Sequence, residues 1–328
     1  MDYAKIELHL HLDGSLNIGW AYKKAIRKKI IKEDTSFEDF YDLLFAKNVE
    51  HSALSITKFD LLCDLLQNYD DLFEATYDLC KRLSQIGIIY AEIRFASQQH
   101  CKEGLSQREA IKAVIDGAKK AMDDFPIYVG IINCLMHKGD SALFNEKDNY
   151  GAIEAGESFY GDGLVGFDLA GYENNCPYSD YSPYFKLIKE KGMAFTLHCG
   201  EMGIGSHILD ALDMKPDRIG HGINCIQDDR YIEALKQAQI PLEVCVTSNI
   251  KTTMNYGSHP IRRMIKEGLK VTINTDNMIF ARSDLFNEFQ QLKMLGIEDE
   301  TLKTCMYNAL DAAFCDEETK EIIRKQLP

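Results

Sequence analysis

Four short apolar segments of this chain end in groups able to bind a metal ion or move a proton. The first, KIELHLHLDG, carries His9 and His11 before a turn. Residues two apart on a strand point to the same side, so both imidazoles can meet one point. The second, FTLHCGEMG, ends in His198 and places Glu201 three residues on, past Gly200. The third, RIGHG, ends in His221, and the fourth, VTINTDN, ends in Asp276. Taken singly, each has an ordinary reading. A histidine in an apolar run is usually packing, Asp276 could cap a helix, and Glu201 could be a helix-start carboxylate in solvent. Taken together, their shared position at strand ends describes a site.

Three histidines and one carboxylate make a nitrogen–oxygen donor set suited to zinc, with one position left for water. The expected ligands are His9, His11, His198 and Asp276. A binuclear centre needs a bridging group, commonly a modified lysine, at the end of the fourth strand. GFDLAGYE has no lysine there, so one zinc ion per chain is expected. Zinc lowers the pKa of a bound water to about 7. His221 is then free to orient or accept that water's proton, and Glu201 to act on the substrate as general acid or base. His51, His100, His137, His207 and His259 are left over and read as structural.

These groups lie between positions 9 and 276, so the fold must gather them. Strand-length apolar runs occupy 5–12, 88–96, 127–136, 164–170, 194–199, 218–222, 241–248 and 269–276, with amphipathic stretches between most of them. Eight such runs fit an α/β chain folded as a (β/α)8 TIM-type barrel, which brings all C-terminal strand ends to one rim. The helix at 106–125 opens on Ser106 and Glu109, a capping-box spacing. That at 182–192 reads as N-capped by Ser182 and closed by Gly192. Strands one and two are separated by a helical insertion over about 15–86, far longer than a crossover requires. It is expected over the C-terminal face, where some of it could form a lid. No composition break divides the chain, so residues 1–328 read as one domain.

The formal charge of −14 repels phosphate backbones and anionic lipid, which disfavours nucleic-acid and membrane partners. No apolar run reaches the roughly 20 residues of a membrane helix, and no export signal is visible at the start. Ten cysteines without a C-x-x-C pair read as reduced thiols, so a cytoplasmic location is expected.

In that order, HLHLDG, GFDLAGYE, HCGEMG, RIGHGINC, CVTSN and TINTDN resemble the adenosine deaminase family, and YAEIRFA and HPIRRM agree with it. The resemblance runs from about residue 5 to about residue 310. It implies a (β/α)8 barrel with one zinc that hydrolyses adenosine or 2′-deoxyadenosine to the inosine product and ammonia, in purine salvage. It implies that His9, His11, His198 and Asp276 hold zinc, that Glu201 protonates purine N1, and that His221 stands beside the attacking water. It places His11 and Asp13 near the ribose and the Gly171 backbone N–H against the purine. Asn277 stands where many members carry a second aspartate against purine N7; an amide can donate to that acceptor without a borrowed proton. The neighbouring readings are a deaminase of adenine, AMP or a modified adenosine, or a different metal hydrolase on the same barrel. The H-x-E and P-C-x-x-C signature of the other zinc-deaminase fold is absent.

Overall fold

The structure, a computed structural model, describes residues 4–45, 53–173, 177–253 and 256–328; His51 lies outside them. Eight strands follow in chain order: β1 (Lys5–His11), β2 (Ile88–Phe95), β3 (Tyr128–His137), β4 (Leu164–Gly171), β5 (His198–Cys199), β6 (Ile219–His221), β7 (Leu242–Val244) and β8 (Val271–Ile273). They pair in parallel as β1-β2-β3-β4 and β5-β6-β7-β8. Single bridges close both seams. Phe167 N donates to Ala194 O (3.0 Å) and Thr196 N to Phe167 O (2.9 Å), joining the β4 and β5 segments. Asp276 N donates to His9 O (2.8 Å) and His11 N to Asp276 O (3.1 Å), joining the chain after β8 to β1. The result is the (β/α)8 barrel expected from the strand pattern.

Among the described residues, four helices lie in the insertion between β1 and β2: α1 (Ile18–Arg27), α2 (Phe37–Phe45), α3 (Ala53–Asp64) and α4 (Tyr69–Gln85). The outer helices that follow are α5 (Gln107–Asp124), α6 (Glu146–Glu157), α7 (Ser182–Glu190), α8 (His207–Asp213), α9 (Asp229–Ala238), α10 (Val246–Thr252) and α11 (Ile261–Lys266). After β8 come α12 (Met278–Ala281), α13 (Leu285–Met294), α14 (Asp299–Ala312) and α15 (Glu317–Arg324). The capping box forms at α5, with Ser106 and Glu109 each accepting the other's backbone N–H. Among the described residues no helix is long and apolar enough to cross a membrane.

The alternation of β1 sets the rest. Ile6, Leu8 and Leu10 enter the hydrophobic core, while Glu7, His9 and His11 meet groups on or beyond β7 and β8. The barrel interior is therefore charged. Glu92, Arg94, Asp168, Arg218 and Glu243 are all fully buried and paired with one another.

Three expectations need correction. The seventh strand ends at Val244, and Val246–Thr252 is helix α10. Its apolar letters cover a strand end and the first turn of a buried helix, which hydropathy cannot separate. The fifth ladder proper is only His198–Cys199; residues 194–197 line the seam through irregular bonds. Ser182 is the first residue of α7 rather than its cap, a position held by Tyr181, and Pro183 costs nothing so early in a helix.

Candidate metal centre

His9 and His11 end β1, His198 opens β5, and Asp276 follows β8. One donor atom from each lies within 4.8 Å of the others. His11 Nε2 is 3.1 Å from His198 Nε2 and 3.3 Å from Asp276 Oδ1, and His9 Nε2 is 3.7 Å from that oxygen. Ligands at about 2.1 Å from a tetrahedral ion stand about 3.4 Å apart, which these separations match. His9 Nε2 is buried without a hydrogen-bond partner, the condition a cation relieves. Burial, then His198 nearby, pushes the His11 pKa down to about 3, so its ring is a neutral donor. The residues present fit a metal ion.

Two buried carboxylates aim the rings. Glu243 Oε2 accepts from His9 Nδ1 (2.8 Å), which leaves the His9 Nε2 lone pair facing the cluster. Asp168 Oδ2 lies 2.8 Å from His198 Nδ1. Burial alone would lower the His198 pKa, but Asp168 outweighs it and the pKa rises. Arg94 ties the two together at 2.9 Å from each carboxylate.

Glu201, His221 and Asp276 form a second group with donor atoms within 4.8 Å, sharing Asp276 with the first. Burial, then the Asp276 charge, lifts the Glu201 pKa to about 8, so it carries its proton at neutral pH. The state of His221 follows from a chain of hydrogen bonds. The Ile261 backbone N–H can only donate, and it donates to His259 Nδ1 (3.2 Å). The proton of a neutral His259 is then on Nε2, which faces Asn249 Oδ1 at 3.4 Å. That turns the Asn249 amide nitrogen towards His221 Nδ1 (3.1 Å). His221 accepts there, so its own proton sits on Nε2, 3.6 Å from Glu201 Oε2. Burial holds both histidines near a pKa of about 4, hence neutral. His221 (φ 61°) and Asp276 (φ 65°) both adopt the left-handed backbone, a strain of about 1–3 kcal/mol each that barrel closure sustains.

The other three expected residues are placed less uniformly. Asn277 donates from Nδ2 to Asp276 Oδ1 (2.7 Å), and its Oδ1 is buried without a partner. A Cβ on Gly14 would fall 1.8 Å from that oxygen, so only glycine leaves Asn277 its place. Gly171 (φ 114°) is exposed at the end of β4, where a Cβ would meet His137 O at 2.7 Å. Asp13 does not join the four clustered groups. It turns into a separate buried cluster with Cys63 and His100.

This geometry coincides with the comparisons to known proteins. The family model described as adenosine deaminase matches residues 4–328. An adenosine deaminase of Clostridium perfringens is 33% identical over 330 residues, covering 99% of this chain and 98% of that one. The chain belongs to the adenosine deaminase family. Two solved structures resemble this family member along almost their whole length. An adenine deaminase from Arthrobacter aurescens has a TM-score of 0.89 at 23% identity, covering 99% of this chain and 98% of that one; it speaks for the fold alone. An Arabidopsis N6-mAMP deaminase has a TM-score of 0.84 at 26% identity, covering 98% and 97%. The chain is thus a metal-dependent deaminase of purines.

Sequence reasoning missed several groups that shape this deaminase's site. Glu173 is the clearest. Its carboxylate accepts from the backbone N–H of Gly200 (3.0 Å), Glu201 (3.0 Å) and Met202 (2.9 Å), and from His207 Nδ1 (3.0 Å). It therefore fixes the turn that carries Glu201, and His207 serves it rather than plain packing. The acidic letters of GFDLAGYE, Asp168 and Glu173, were the available signal. Glu173→Gln is expected to cost about 1.5–3 kcal/mol, the range for a hydrogen bond to a charged group, and to slow turnover with metal content unchanged. Urea unfolding and metal analysis check it.

Proposed function

We propose that this protein hydrolyses adenosine or 2′-deoxyadenosine to the inosine product and ammonia, with one zinc held by His9, His11, His198 and Asp276. The observation that carries this reading is the shared Asp276, which sets a metal-competent cluster beside the half-buried Glu201, whose pKa is lifted to about 8.

A metal ion bound there supplies Lewis acidity that makes water a nucleophile at neutral pH. The chain's own groups do the rest. Glu201 gives its proton to purine N1, which draws electron density away from C6. The His221 Nε2–H hydrogen-bonds the oxygen arriving at C6, and Asp276 holds it from the other side. Water's oxygen becomes bonded to C6, one of its protons passes to the amine and the other restores Glu201, the C6–N bond breaks, and the amine leaves as ammonia. Asn277 faces N7, the Gly171 N–H meets the purine, and His11 and Asp13 stand by the ribose.

A nucleoside suits the site better than a nucleotide. Among the described residues, the ion pairs of Asp13, Glu201 and Asp276 are all with histidine, none with lysine or arginine that could meet a phosphate. The nine described cysteines are all unpaired, which supports the cytoplasm as its location. The likeness to an N6-mAMP deaminase favours a second reading, a modified 6-aminopurine nucleotide. A panel of adenosine, 2′-deoxyadenosine, adenine, AMP and N6-methyl-AMP, followed by the loss of 6-aminopurine absorbance because the methylated nucleotide would release methylamine rather than ammonia, decides between them. The two nucleosides are expected to have the highest kcat/KM. Turnover of adenine, AMP or N6-methyl-AMP with none of either nucleoside sinks the proposal.

A further inference from the structure

Cys63, on α3 of the insertion, meets barrel residues far from it in sequence. Its Sγ lies 3.6 Å from Asp13 Oδ2 and 3.4 Å from Gln99 Oε1. His100, just after the turn that follows β2, places Nε2 3.5 Å from the same Asp13 oxygen. Asp13, Cys63 and His100 are each no more than 2% exposed.

The polarity of His100 makes this contact unusual. Its Nδ1 lies 3.0 Å from Leu66 O, and a carbonyl can only accept, so Nδ1 carries a proton. Nε2 is buried and makes no hydrogen bond, although the Asp13 carboxylate and the Cys63 thiol stand in front of it. An unpartnered buried nitrogen aimed at such a cluster is the condition a cation relieves.

We propose that Asp13, Cys63 and His100 form a second site, bearing a thiolate, for a soft divalent transition ion such as zinc or cobalt. The three donor atoms lie within 4.8 Å of one another, a triangle that bonds of about 2.0–2.3 Å to nitrogen, oxygen and sulfur can span. Gln99 Oε1, 3.4 Å from Cys63 Sγ, is the neighbouring oxygen. Thiolate and carboxylate balance the two charges of the ion, and the imidazole stays neutral. Uptake releases the thiol proton to solvent. Without the ion that proton is held firmly, because burial, then the Asp13 charge, lifts the Cys63 pKa well above the usual thiol range. Sulfur and imidazole exclude magnesium and calcium as natural occupants. An ion here ties α3 of the insertion to the turns after β1 and β2. The site uses Asp13 Oδ2 and so shares that residue with the ribose contact proposed above.

The His9, His11, His198 and Asp276 cluster contains no sulfur, which makes the two centres separable. Full-length protein loaded with one zinc per chain is titrated with cobalt(II) while the near-ultraviolet thiolate-to-cobalt charge-transfer band is followed. The expected result is a band that saturates at one further equivalent, vanishes in Cys63→Ser, and is unaffected by excess magnesium. A rise in Tm on cobalt addition, absent in Cys63→Ser, accompanies it. His100→Gln, the second arm should Cys63→Ser fail to fold, is expected to weaken cobalt binding by about tenfold or more. No band at saturating cobalt, a band that persists in folded Cys63→Ser, or unchanged affinity in His100→Gln each overturns the site. A bridged binuclear centre would differ again, taking two ions with no sulfur band.

Discussion

Glu201→Gln is expected to lower turnover by about 10²–10⁴-fold, the range supplied by a positioned proton donor. The amide keeps the shape of the side chain but has no acidic proton to give. Glu201 sits on the turn held by Glu173 and does not belong to the four-ligand cluster, so metal content and Tm should stay at their wild-type values. The effect should fall on kcat rather than KM, because a proton delivered to the ring counts in the transition state and not in binding. Steady-state kinetics with metal analysis of the same preparation test this. A rate near that of the wild type refutes the role given to Glu201.

Arg94→Met should produce the largest loss of stability. Arg94 lies within the barrel with no exposed surface and contacts Asp168, Glu243 and the Leu8 carbonyl at 2.7–2.9 Å. Removing it leaves two buried carboxylates short of a cation. Breaking a buried pair from one side costs about 3–5 kcal/mol. Arg218 compensates only in part, since it reaches Glu243 and Glu92 but not Asp168. The same carboxylates aim His9 and His198, so metal affinity should also fall by about 10–100-fold, the usual cost of losing a group behind the ligands. Urea unfolding and a chelator competition read the two effects separately. Wild-type stability together with wild-type metal affinity would show that the charge network is incidental.

The local grammar of the chain was readable without coordinates. Strand-length runs, their number and order, the capping box at Ser106, and the long helical segment after the first strand all follow from side-chain periodicity and turn residues, which act within a few positions. The alternation in KIELHLH put His9 and His11 on one face, and the positions of His198, His221 and Asp276 at strand ends made their convergence a consequence of closing a barrel. Where that grammar failed, as in the short β7 and the unexpected α10, one apolar run served both a strand end and a buried helix turn.

What lies behind those ends was decided only by the tertiary structure. Glu92, Arg94, Asp168, Arg218 and Glu243 appear as isolated polar letters in apolar strands, and nothing local says whether each faces water or another charge. Their partners are far away in the chain and become neighbours only inside the closed barrel. The proton on His221 is set by Asn249, His259 and the backbone of Ile261, from two further helical segments. Asp13 follows the histidine pair closely in sequence, yet it turns towards Cys63 on an inserted helix. Periodicity is a property of one segment, whereas charge pairing, tautomer and pKa depend on which segments the fold brings into contact once water is excluded.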